Sequence, residues 1–164
     1  MNFNDLLARF PAIETHPLFD AAWDDSKERL QSLLHGGADL YEESSGMTAL
    51  YAAIENDSLQ AFQFLLDYGV DPNRLIGSHL PLNIAIDKEI TASTGGGAWP
   101  HGLIDNDALR PNPIFSQSLL LYGANPKLKD PWGSPIDYAK MRHHYSFLEL
   151  VSRRESTNIR EPQR

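Results

Sequence analysis

Residues 46–73 read GMTALYAAIENDSLQAFQFLLDYGVDPN, and this stretch carries the pattern on which the fold prediction depends. Leu50, Ala53 and Ile54 have the spacing of one helical face, which predicts a first helix with an apolar side. A second helix is predicted by the same spacing at four further positions: Leu59, Phe62, Leu65 and Leu66. Gly69 follows, and glycine adopts at little cost the left-handed conformation that ends many helices. The stretch therefore predicts two short helices followed by a tight turn.

The same pattern occurs four times along the chain. The segments that begin the first helices end in alanines that are 32, 32 and 54 residues apart: HPLFDA at 16–21, TALYAA at 48–53, LPLNIA at 80–85 and SPIDYA at 134–139. The glycines after the second helices, Gly37, Gly69 and Gly123, are 32 and then 54 residues apart. Both sets of positions therefore indicate a period of 32 residues with the same 22-residue insertion in the third copy.

Over residues 16–151 this pattern resembles the ankyrin repeat family. In that family the first helix begins with Thr-Pro-Leu-His-x-Ala and the second is followed by Gly-Ala-Asp-x-Asn, and residues 46–73 follow this scheme almost throughout. No copy has the complete Thr-Pro-Leu-His, and no histidine follows the leucine. The resemblance implies an all-α solenoid of about four helix-pair repeats, and we expect them at four ranges: 16–41, 42–73, 74–126 and 127–151.

Three segments surround or interrupt these repeats. We expect residues 1–15 to form a short helix that caps the first repeat, because their apolar residues have helical spacing. The insertion, expected at residues 89–112, is rich in glycine and contains Trp99, which either folds back over the helices or contacts a partner. Residues 152–164 have one isoleucine and no other large apolar residue, so we expect a flexible tail.

Composition and motifs argue against catalysis. The chain has no cysteine, which excludes disulfides and thiolate chemistry. Its six histidines lack the spacing of a metal site, and no phosphate-binding loop or Gly-x-Ser-x-Gly motif occurs. We therefore predict that the protein is not an enzyme and uses no cofactor and no metal. An enzyme built on the insertion is the remaining alternative, with four residues close in sequence: Trp99, His101, Asp105 and Asp107.

The net charge is −8, and residues 1–58 hold 11 acidic against 3 basic residues. Such acidity disfavours nucleic acid as a partner and speeds encounter with a basic protein, although it also serves solubility alone. The first residues lack the basic and apolar segments of a secretory signal, and no apolar run has the length of a membrane span. We expect a cytoplasmic protein that does not bind membranes and is a monomer on its own.

In a stack of this kind, the turn tips and the outward positions of each first helix line a concave surface. We expect a partner to bind there and at Trp99 of the insertion. The expected positions on the repeats are Trp23, Asp24, Glu42, Ser44, Ser45, Met47, Glu55, Asn56, Leu75, Ile76, Ser78, Asp87, Trp132 and Met141. The same alignment adds Lys88, Pro131 and Arg142.

Five of these positions carry large apolar residues where the fold predicts contact with water: Trp23, Met47, Leu75, Ile76 and Trp132. Aromatic anchors among charges are typical of protein-binding hot spots. The alternative is that Trp23 packs under the N-terminal helix and Trp132 under the C-terminal one. The sequence predicts a protein-binding module whose partner has a basic, partly apolar surface. An inhibitor, such as an immunity protein that neutralises a toxin, is the first hypothesis, and an adaptor that joins two proteins is the second.

Overall fold

The computed structural model describes residues 16–93 and 110–158, and this part of the chain contains eight helices and no strands. In chain order they are α1 Pro17–Trp23, α2 Lys27–His35, α3 Ala49–Glu55, α4 Leu59–Tyr68, α5 Pro81–Ser93, α6 Ile114–Leu121, α7 Pro135–Met141 and α8 Tyr145–Asn158. They form four successive pairs, and the first helices α1, α3, α5 and α7 pack on one another in that order. The predicted all-α repeat solenoid is confirmed.

The helix boundaries follow from residues that recur with the repeat. Three of the four first helices begin at proline and the other at Ala49, because the first N–H groups of a helix have no partner within it. The glycine after α4, Gly69, has φ of 104°, and Gly37 and Gly123 have φ of 91° and 95°. Only glycine adopts this left-handed backbone without strain, which explains why the glycines keep the period.

The core runs through all four pairs. The aligned alanines of the first helices are fully buried at Ala21, Ala53, Ala85 and Ala139. A methyl side chain lets neighbouring helices approach closely, and a longer side chain at these positions meets the next helix. The second helices contribute larger side chains such as Leu30, Leu65 and Leu119, all of which are fully buried.

The third and fourth repeats differ from the expected boundaries. Helix α5 continues to Ser93, beyond the predicted start of the insertion at 89, because Glu89 and Ile90 are buried in the core. Residues 94–109, with Trp99, lie outside the described residues, and so does the predicted capping helix at 1–15. Helix α8 runs to Asn158, into the segment predicted to be a flexible tail.

Contacts to earlier parts of the chain explain why α8 is longer than predicted. Val151 is buried against the core, and the Arg154 guanidinium donates to the carbonyl of Leu120. Lys127 Nζ also lies 2.8 Å from a carboxylate oxygen of Glu155. Polar side chains therefore hold the last turns of α8, where hydrophobic periodicity offers no signal.

A buried hydrogen-bond network joins the two sides of the insertion. On α6, Ser116 donates its backbone N–H and its hydroxyl to the two carboxylate oxygens of Glu89, each at 2.8 Å. His144 Nε2 lies 2.8 Å from the second of these oxygens, and His144 Nδ1 accepts the backbone N–H of Phe147 at 3.3 Å. Since Nδ1 accepts, Nε2 carries the proton that is shared with Glu89. The network ties α5, α6 and the start of α8 together.

Removing one donor from this network should destabilise the fold. Ser116→Ala is expected to lower the free energy of unfolding by about 1–3 kcal/mol, because the buried Glu89 carboxylate loses a hydrogen bond. Ser118→Ala on the same helix is the matched control, since the Ser118 hydroxyl bonds only the carbonyl of Ile114 at 2.8 Å near the surface. Urea unfolding of both variants measures the difference, and equal losses would show that the network adds nothing to stability.

Candidate protein-binding surface

Three short hairpins precede the first helices of the second, third and fourth repeats. Each is closed by a pair of backbone hydrogen bonds, between Ser44 and Met47, Ile76 and His79, and Asp130 and Gly133. Their N···O distances lie between 2.8 and 3.2 Å. The tips of these hairpins are Ser45-Gly46, Gly77-Ser78 and Pro131-Trp132. The repeat thus presents the same turn three times with different side chains.

A groove of about 330 Å³ lies between the hairpins and the helices α3 and α5. It brings together six of the predicted partner-binding residues: Met47, Glu55, Ile76, Ser78, Asp87 and Trp132. Its other lining residues are Gly46, Tyr51, Gly77, His79 and Ile84. Its lining combines apolar side chains such as Met47, Ile84 and Trp132 with the carboxylates of Glu55 on α3 and Asp87 on α5.

The position of Trp132 is set by Asp130, whose side chain is fully buried. One carboxylate oxygen of Asp130 accepts the backbone N–H of Trp132 at 2.7 Å, and the other accepts that of Leu80 at 2.7 Å. This carboxylate therefore links the hairpins of the third and fourth repeats and holds the tip of the hairpin in the fourth repeat.

The indole of Trp132 also stacks on two rings. Its centroid lies 3.9 Å from that of His79 and 5.1 Å from that of Tyr138. These ring contacts come from a hairpin and from α7. The indole remains 38% exposed, which leaves a fixed aromatic edge at the mouth of the groove.

Ile76 is not the exposed tip residue that the sequence predicts. Its side chain is 6% exposed and joins the hydrophobic core, whereas its neighbour Leu75 is 47% exposed. Adjacent residues in extended backbone point to opposite sides, so only one of the two can face water. The sequence alone does not show which one turns inward.

The other predicted residues do not line the groove. Trp23 stacks on Phe19 at 6.0 Å, and its carbonyl accepts the side chain of Asn56 at 2.7 Å, at the junction of the first two repeats. Asp24 pairs with Arg29 at 2.6 Å. The remaining residues lie elsewhere on the surface: Glu42, Ser44, Ser45, Leu75 and Met141. Trp99 is outside the described residues.

The electrostatics of the groove centre on two carboxylates from successive repeats. Burial raises the pKa of Glu55 above its ordinary value, Lys88 opposes this, and Asp87 and Asp57 add to it. Burial and the same negative charges, Glu55 and Asp87, also raise the pKa of the Tyr51 phenol. Asp87 accepts from the Tyr138 hydroxyl at 2.6 Å and from Arg142 at 2.9 Å. Burial and this bond to Asp87 raise the pKa of Tyr138.

Four residues that shape the groove were missed from the sequence: Tyr51, His79, Ile84 and Asp130. The repeat alignment contains a signal for His79, because it occupies the position of Met47 in the next repeat. Asp130 has no such signal, since its role depends on two backbone N–H groups from different hairpins.

The paired helices, the repeated hairpins and the groove between them define a helical solenoid repeat protein. A family model of ankyrin repeats, in three copies, matches residues 11–91, and the structure continues the same helix pairs beyond that range. The chain belongs to the ankyrin repeat family and is a protein–protein interaction module. No curated protein matches the sequence.

Two further features concern only residues 16–93 and 110–158: membrane-spanning helices and groups of metal ligands. Across these ranges, none of the helices combines the length and the apolar character needed to span a bilayer. Within the same ranges, no three histidines or carboxylates come together as metal ligands.

The raised pKa of Glu55 predicts how its removal changes stability with pH. A carboxyl whose pKa is higher in the folded state is more costly to ionise there, so stability is lost as the pH rises through that pKa. Glu55→Gln should therefore gain stability relative to the native chain between about pH 4 and about pH 7. Urea unfolding at both pH values measures this, with the exposed Glu43→Gln as control. A Glu55→Gln variant that is less stable at neutral pH would contradict the assignment.

Proposed function

We propose that this ankyrin repeat protein is an inhibitor that binds a basic protein and neutralises it by occlusion, as an immunity protein does with a toxin. The observation that carries the proposal is the groove, whose lining combines the partly exposed Trp132, apolar side chains such as Met47 and the carboxylates of Glu55 and Asp87. This composition suits a partner surface with cationic and apolar side chains side by side.

The distribution of charge supports a basic partner. The chain has a net charge of −8, and the residues before Leu59 contribute most of the excess of acids. Glu42 and Glu43 lie just before the hairpin of the second repeat, and Glu55 lines the groove. An acidic surface of this kind accelerates the encounter with a positively charged protein and repels nucleic acid.

The experiment is a capture of partners from the lysate of the source cells, followed by an assay of the captured protein. The proposal expects one basic protein in equimolar amount, whose activity is lost in the complex and returns when high salt releases it. A partner that remains fully active in the complex, or an acidic partner, would contradict it.

The adaptor alternative has one specific observation in its favour. Leu121 at the end of α6 is 76% exposed, and Ile114 and Tyr122 on or next to the same helix are also exposed. Since α6 is a second helix, this apolar group is separate from the hairpins and first helices that form the groove. An adaptor should form a ternary complex with two ligands, and Leu121→Ser should remove one of them only.

Trp132→Ala should weaken the complex by about 2 kcal/mol or more, because a fixed aromatic at the mouth of a groove has the character of a hot spot. Trp23→Ala is the matched control, since Trp23 is equally exposed but lies outside the groove. Calorimetric titration with the captured partner measures both affinities, and thermal unfolding measures both stabilities. If Trp132→Ala loses only stability and binds normally, the binding surface lies elsewhere.

Charge reversal just before the hairpin of the second repeat should change the rate of association. Glu42→Lys with Glu43→Lys is expected to slow association and to leave the thermal midpoint nearly unchanged, because exposed charges contribute about 0–1 kcal/mol to stability. Glu42→Gln with Glu43→Gln should give an intermediate rate. Stopped-flow mixing at low and high salt measures the effect, and a rate that depends on neither charge nor salt would contradict electrostatic steering.

A further inference from the structure

The repeat symmetry of the chain provides two equivalent carboxylates with different surroundings. Glu55 on α3 and Asp87 on α5 occupy the same position in successive repeats, 32 residues apart. Asp87 has two partners, since its Oδ1 accepts both the Arg142 guanidinium at 2.9 Å and the Tyr138 hydroxyl at 2.6 Å. Arg142 also bonds the Tyr138 hydroxyl at 2.8 Å, so carboxylate, guanidinium and phenol form one closed group.

One repeat earlier, the equivalent residues do not form this group. Lys88 holds the position that Arg142 holds in the fourth repeat, but its Nζ bonds the backbone carbonyl of Glu55 at 2.6 Å and Asp57 at 3.0 Å. Ile84 holds the position of Tyr138 and has no hydroxyl to donate. Within residues 16–93 and 110–158, no hydrogen bond or ion pair reaches the carboxylate of Glu55.

This carboxylate borders the groove rather than open solvent. Glu55 is half-buried and lines the groove together with Met47 and Trp132. No lysine or arginine lines the groove in the part of the chain that the structure describes. The groove therefore combines apolar side chains with a carboxylate that Lys88 influences at a distance but that no hydrogen bond or ion pair of the described residues reaches.

We propose that the groove receives an arginine side chain of the partner, whose guanidinium pairs with Glu55 while its aliphatic stem packs against Trp132 and Met47. This inference rests on the proposed function, because it assigns a specific subsite to the basic partner. The same kind of pairing occurs within the chain, where the Arg142 guanidinium and the Tyr138 hydroxyl bond the equivalent carboxylate of Asp87.

Arginine fits this subsite better than lysine for two physical reasons. A guanidinium is more weakly hydrated than an ammonium, so it loses less on entering a half-buried site. Its planar fork also donates two parallel hydrogen bonds to one carboxylate, while its aliphatic stem packs against the exposed part of the Trp132 indole.

The test uses the whole chain with ¹³C-methyl methionine and three capped tripeptides of the form Gly-X-Gly, in which X is arginine, lysine or citrulline. The arginine peptide should give saturable shifts of the Met47 methyl and the Trp132 indole, with an affinity in the millimolar range. Met141 is the internal control, because it is exposed and lies outside the groove. Citrulline has nearly the shape of arginine without its charge, so it should bind at least tenfold more weakly.

Two variants complete the design. Glu55→Gln should weaken the arginine peptide at least tenfold, whereas Glu28→Gln, at an exposed position of α2 outside the groove, should not change its affinity. The inference is overturned if the Met47 signal does not move, if lysine or citrulline binds as tightly as arginine, or if Glu55→Gln still binds normally. Glu55→Asp, which keeps the charge, should retain part of the affinity even if Glu55→Gln alters the fold.

This experiment separates the two proposals from each other. Peptide binding without an inhibited partner would retain the arginine subsite and overturn the inhibitor function. An inhibited basic partner together with no peptide binding at Met47 would retain the inhibitor function and overturn the subsite.

Discussion

The arrangement of this protein depends on a fully buried alanine at the same position of every first helix. Ala21, Ala53, Ala85 and Ala139 set how closely the helices of neighbouring repeats approach. Because the same small residue occupies each step, the first helices stack in order and the hairpins that precede α3, α5 and α7 lie on one side of the stack. The groove is a consequence of that alignment, since its residues come from three hairpins and two helices.

The fold was predictable because its signals are local and repeated. The alanines and the helix-ending glycines recur with one period apart from the insertion, and three of the four first helices begin at proline, so each signal can be read from the local sequence. The candidate site was predictable only in part. Alignment of the repeats located Met47, Glu55 and Asp87. The role of Asp130 depends on backbone N–H groups that only the folded chain brings together, and the burial of Ile76 depends on the direction of its side chain.

The third repeat shows how the stack accommodates an interruption. In the other repeats a residue with positive φ makes the turn between the two helices, at Asp25, Asp57 and His143. The equivalent residue in the third repeat is Glu89, which is helical and buried, and it bonds Ser116 and His144 instead. A side-chain network thus replaces a backbone turn, so the second helix of this repeat keeps its place although its connection to the first is much longer.

In each of the three hairpins, backbone groups stabilise the turn and side chains at the tip form the exposed surface. Each is closed by the same pair of backbone hydrogen bonds, which any residue with an N–H and a carbonyl can form, whereas the two tip residues differ in every repeat. Substitution at tip residues such as Ser78 and Trp132 therefore changes the recognition surface and leaves these backbone bonds in place, whereas Gly46 and Gly77 have positive φ and favour glycine. Single substitutions at such tip residues can therefore adapt the surface to a partner that itself changes, while the buried alanines that pack the first helices stay the same.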